Sequence, residues 1–105
     1  MAVIPVVIQK DQNNKGRCFA KPDPFKAKLG DSVTFIFPDE PRAHIEFTGA
    51  SPFGEAGFVL RPGPDTGKTG VATKEARNAG LNFDYAITWP GGGKGNGGGE
   101  VGPSR

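Results

Sequence analysis

Few residues of this chain could do acid–base, nucleophilic or metal chemistry: it has one histidine, one cysteine and a single methionine, Met1. His44 stands two residues before Glu46 in an alternating stretch, so imidazole and carboxylate share one face of a strand. Such a pair could bind a metal ion or pass a proton. A stable metal site needs three or four donors, however, and one imidazole beside one carboxylate reads first as solvated surface. Cys18 would need a base at hand to act as a nucleophile. Nothing in the spacing brings His44 to it, and Phe19 beside it suggests a thiol at the edge of the core. Asp39 and Glu40 are adjacent in a turn sequence and would diverge rather than work as a pair.

Two glycine-bearing stretches invite comparison with ligand-binding loops. Arg61–Gly70 (RPGPDTGKTG) approaches the phosphate-loop pattern, but Pro62 holds the position of its first glycine. Pro62 and Pro64 also remove N–H donors that would cradle a phosphate. It is expected to be a solvated loop without regular structure. Gly91–Gly99 (GGGKGNGGG) has seven glycines in nine residues, which predicts a flexible segment. Segments of this kind that contact RNA interleave several arginines and aromatics. Lys94 alone does not supply that, so no nucleic-acid partner is expected.

These residues need a scaffold, and the composition restricts which one. Seventeen glycines and ten prolines make up about a quarter of the 105 residues, and only 35% are hydrophobic. Gly and Pro are the poorest residues in a helix interior, so short strands joined by turns are favoured. The net charge of +2 is too small to argue for a polyanion partner. No apolar run approaches the ~18 residues of a membrane span, and one cysteine excludes an intrachain disulfide. The N-terminal MAVIPVVIQK lacks a secretory pattern, so a cytoplasmic location is expected, or a periplasmic one if a signal peptide has been removed.

Period two runs through most of the chain. Val3–Ile8 is apolar on both faces, and Pro5 within it requires a sheet edge or a bulge. Phe25, Ala27 and Leu29 share a face, as do Val33, Phe35 and Phe37, then Ala43, Ile45 and Phe47. Gly49–Gly57 reads as a loop and Phe58–Leu60 as a short strand. Val71–Gly80 fits a strand better than a helix, since it lacks an apolar helical stripe. Leu81, Phe83, Tyr85, Ile87 and Trp89 form the most regular face of all. The expected fold is all-β: an antiparallel Greek-key β-sandwich of about seven strands. Residues 1–90 make the sandwich, and 91–105 a Gly-rich flexible loop or tail with at most a short strand in Glu100–Ser104.

The run PFKAKLGDSVTFIFPDEPRAHIEFTG resembles three successive strands of the cupredoxins, the plastocyanin-like copper proteins. Asn82–Trp89, followed by Pro90 and glycines, resembles the strand that leads to their copper-binding loop. The resemblance implies a cupredoxin-like sandwich, with His44 at the place of the family's first histidine ligand. It also implies a thiolate and a second histidine from the end of the later strand and its loop. Here that stretch reads Ala86, Ile87, Thr88, Trp89, Pro90 and then glycines, and Cys18 lies in an early strand. A blue-copper centre takes two imidazoles and a thiolate, usually with a weak axial thioether, more donors than this chain holds.

The expected function is therefore a non-enzymatic module without blue copper and without another cofactor. If the Gly-rich segment leaves no final strand, Asn82–Trp89 has an open edge, and such edges pair with other chains. An unidentified protein partner, or self-association by strand pairing, would use that edge together with Tyr85, Trp89 and Lys94. The alternative is weak, non-blue copper binding by His44 and nearby carboxylates. No membrane partner is expected.

Overall fold

The computed structural model describes residues 2–63 and 67–103. Among them are ten strands and no helix: β1 (Val3–Lys10), β2 (Arg17–Lys21), β3 (Phe25–Lys28), β4 (Ser32–Phe37), β5 (His44–Phe47), β6 (Gly57–Val59), β7 (Arg61–Pro62), β8 (Gly70–Glu75), β9 (Gly80–Trp89) and β10 (Gly93–Gly102). Their hydrogen-bonded order is β6-β5-β9-β10-β2-β1-β4-β8-β7, with β3 also on β10. This ribbon folds over one core as a sandwich. Three pairings are parallel, β1 with β4 and β10 with both β2 and β3. The all-β sandwich is as expected, with more strands than the expected seven and with these three pairings parallel among the antiparallel ones.

The alternating faces are where their periodicity puts them. Val33, Phe35 and Phe37 of β4 and Ala43, Ile45 and Phe47 at β5 are buried. Phe83, Tyr85, Ile87 and Trp89 of β9, beside β5 in the sheet, join the same core, with Tyr85 and Trp89 against Phe35 and Phe37 of β4. Leu81, expected on that face, is 73% exposed. It lies beyond the reach of β5, whose pairing with β9 covers only Tyr85–Thr88, and beside a bulge in β10 between Gly99 and Val101. Phe53 enters the core from the loop before β6 and stacks on Phe25 at 6.1 Å. Pro5 has β4 on one side only, because β2 joins β1 from Val7 onward, so its missing N–H costs no ladder bond. Asp31 is the one buried charged residue among those described, and its carboxylate accepts the N–H groups of Ala2 and Lys28 at 3.0 and 2.9 Å. It ties together the starts of β1 and β4 and the end of β3.

The largest departure concerns the glycines. Instead of a flexible segment with a rudimentary strand, Gly93–Gly102 is a ten-residue strand paired with β9 along nearly its whole length. A three-residue turn, 90–92, joins the two, with φ of 104° at Gly91 and 89° at Gly92. β9 therefore has β10 along one side and β5 against Tyr85–Thr88 on the other, and the edge expected to be open is closed by β10. Glycine normally weakens a strand because it brings no side chain to pack. Here the neighbouring side chains take the space: a Cβ on Gly93, Gly97 or Gly99 would overlap Trp89, Tyr85 or Phe25, and one on Gly95 would overlap Cys18.

Within Arg61–Gly70, Arg61 and Pro62 pair with Val71 and Gly70, so that stretch is not wholly irregular. The phosphate-loop near miss includes 64–66, which lie outside the described residues, as does residue 104 of the expected terminal strand. Val71–Glu75 is a strand, as its pattern predicts.

Candidate functional site

The outer face of β5, β9, β10 and β2 gathers most of the polar residues the sequence singles out. Its side chains form rows set by strand register. One row runs His44, Thr88, Lys94, Arg17. The next outward-facing row runs Glu46, Ala86, Asn96. The third pairs Asp84 with Gly98, whose N–H is held by the Asp23 carboxylate at 3.0 Å. The surface between these rows is a groove of about 900 Å³, lined in part by Arg17, Lys94, Asn96, Gly98, Asp84 and Asp23. One end is cationic, the other acidic, and the middle is small and neutral.

His44 sits on this face with its side chain 41% exposed, Nε2 lying 3.9 Å from Glu46 Oε1. That spacing is an ion pair only when the imidazole is protonated. Cys18 is three strands away. At about 4.8 Å per strand, the row from His44 to Arg17 is about 14 Å long, and Cys18 follows Arg17 with its thiol turned inward against Gly95. Neither a dyad nor a shared metal ion can join them. Burial pushes the thiol up to about 11, against a smaller lowering by Arg17, so it is a poor nucleophile near neutrality. Among the described residues no group of three His, Cys, Asp or Glu side chains is placed to hold a metal ion.

Of the residues expected to meet a partner, Lys94 alone is exposed. Tyr85 is 1% and Trp89 8% exposed, because both point into the core, Tyr85 against Phe35 and Phe47 and Trp89 against Phe37. Trp89 packs edge-on against Phe37 at 5.2 Å, with Lys10 Nζ 5.6 Å from its ring, and closes that end of the sandwich. The Tyr85 hydroxyl is buried beneath Gly97 with no hydrogen-bond partner among the described residues. Burial holds its phenol above the ordinary range, with Asp23 and Cys18 adding to the effect.

Sequence reading missed Arg17, Asp23, Asp84 and Asn96 as members of one surface. The signal lay in Gly93–Gly97 (GKGNG), where glycines alternate with polar residues as in a strand with a bare inner face.

The architecture has clear counterparts among solved structures. A reduced Cu(I) amicyanin variant is 24% identical with a TM-score of 0.54, the match covering 90% of this chain and 79% of that chain. An oxidized amicyanin variant is 25% identical with a TM-score of 0.55 over the same shares. Another Cu(I) variant, 24% identical, also has a TM-score of 0.55 and covers 92% of this chain and 81% of that one. The fold is cupredoxin-like. No protein-family model matches the chain, and no curated protein matches it either. In this cupredoxin-like frame the turn from β9 to β10 is Pro90, Gly91 and Gly92, three residues without a side-chain donor.

Proposed function

We propose that this chain is a cupredoxin-like module that carries no type 1 copper, catalyses no reaction, and works by binding through the outer face of β9 and β10. The observation that carries this reading is the short β9–β10 turn. At the place where the resemblance puts a thiolate and a second histidine, the chain has apolar residues, Thr88 and a glycine turn, with Trp89 packed into the core. A trigonal site of two imidazoles and a thiolate does not fit one histidine and one cysteine about three strands apart. The binding half of the proposal draws on the groove, which concentrates Arg17, Lys94, Asp84 and Asp23 on an otherwise small-residue floor. Mixed charges of this kind suit a protein surface rather than a polyanion.

A second reading, weak non-blue metal binding, draws on the approach of His44 to Glu46 at 3.9 Å. Cu(II) titration of the chain followed by absorbance and melting temperature separates the two. The binding-module reading expects no intense blue band and no change in melting. A melting shift abolished by His44→Ala would favour the second.

A further inference from the structure

We infer that the partner of this face is a second copy of the chain, docked face to face about a two-fold axis that runs along the Ala86–Asn96 row. The inference rests on reading the outer face of β9 and β10 as a binding surface. Successive outward rows are two residues apart, about 7 Å along the strands. A two-fold axis lying in the sheet plane and crossing the strands keeps each strand over its own copy and exchanges the two ends of the groove.

That exchange matches both charge and volume. Lys94 of one copy falls over Gly98 of the other, where the missing side chain leaves depth for it. Asp84 flanks that position on β9, and the Asp23 carboxylate, hydrogen bonded to Gly98 N–H, flanks it on the other side. Arg17, in the row of Lys94, falls over Lys21 of its own strand, a like-charge approach that weakens the pair, with Asp23 two residues beyond. By symmetry each contact occurs twice, as an isologous interface requires. Ala86 and Asn96, short and neutral, lie on the axis. Phe19 follows the last β2–β10 pair, is 41% exposed and carries Lys21 at 5.6 Å. It supplies an aromatic contact beside the same row. Glu46 at the far end of the row faces its own copy and weakens the pair. Four strands about 4.8 Å apart give a small face, at the low end of specific interfaces, so the dimer is weak and salt-sensitive.

Sedimentation of the full chain up to about 1 mM at low and high salt tests this, with thermal melts confirming that each variant is folded. At low salt the chain should dimerise in the upper part of that range, and added salt should dissociate it. Lys94→Glu should weaken the dimer by about tenfold or more, and Lys94→Glu with Asp84→Lys should restore it to within about threefold. Gly98→Gln, which fills the depression from outside, should leave a monomer. A wild-type chain that is monomeric throughout at low salt overturns the proposal. So does self-association that ignores both salt and Lys94→Glu. A monomer that takes no blue copper defeats the dimer alone, whereas a blue copper complex defeats the reading beneath it.

Discussion

Gly93 stands directly across the ladder from Trp89, with its Cα so close to the indole that a β-carbon would overlap the ring. The same relationship recurs four and six residues along, where Gly97 faces the Tyr85 ring and Gly99 lies against Phe25. The inner face of β10 is thus a track of backbone over which large aromatic side chains lie. Its outer face keeps Lys94 and Asn96 for solvent or a partner.

Gly97→Ala should be destabilising by about 1–3 kcal/mol, because a Cβ there would meet Tyr85 Cζ at 2.6 Å and force the ring or the strand to move. Gly98→Ala, one residue on, meets nothing closer than 3.4 Å and should be neutral or stabilising by up to about 1 kcal/mol. Chemical denaturation of the two variants checks the contrast. Equal effects would mean that the strand does not alternate as described.

Tyr85→Phe should leave stability unchanged or raise it by about 1 kcal/mol, since the buried hydroxyl it removes has no hydrogen-bond partner among the described residues. A loss of more than about 1 kcal/mol in the same assay would show that the hydroxyl is satisfied in solution.

Cys18 should react with thiol reagents about tenfold more slowly than an ordinary cysteine near neutral pH, since burial moves it from 9.0 to about 11 and the greater nucleophilicity of its thiolate offsets part of the smaller thiolate fraction. The fold favours the neutral thiol, so the stability this supplies is full below about pH 9 and is lost as pH rises from there through about 11. Tyr85 acts in the same direction from its ordinary 10.0 upward. Melts across the alkaline range should fall in that window, and less steeply in Cys18→Ala.

Asp31→Ala should cost about 2–4 kcal/mol, because it strips an acceptor from two backbone N–H groups, those of Ala2 and Lys28, at a nearly buried position. Denaturation midpoints compared with wild type measure the cost, and a loss below about 1 kcal/mol would show that water replaces the carboxylate there.

The sandwich was legible wherever side chains alternate: Phe25 and Ala27, Val33 to Phe37, Ile45 and Phe47, and Phe83 to Trp89 are all buried as their period demands. The glycine strand was not. A strand is recognised from its own side chains, and the inner face of β10 is defined by those of Trp89, Tyr85 and Phe25, which are supplied from elsewhere. With Gly91–Gly99 read as flexible, β9 has an open edge, and Tyr85 and Trp89 are expected beside it rather than in the core. Of the site, His44 and Lys94 were visible in the sequence. Their row-mates Thr88 and Arg17, and the acids Asp84 and Asp23, become neighbours only through the register of strands distant in sequence.

The proposed function stands or falls with blue copper. Cu(II) added stepwise to the purified chain, followed by visible absorption and electron paramagnetic resonance, tests that directly. The expected spectrum has no intense blue thiolate-to-copper band at any ratio, for the wild type and Cys18→Ala alike. An intense blue band that saturates at one copper per chain and disappears in Cys18→Ala or His44→Ala would contradict it.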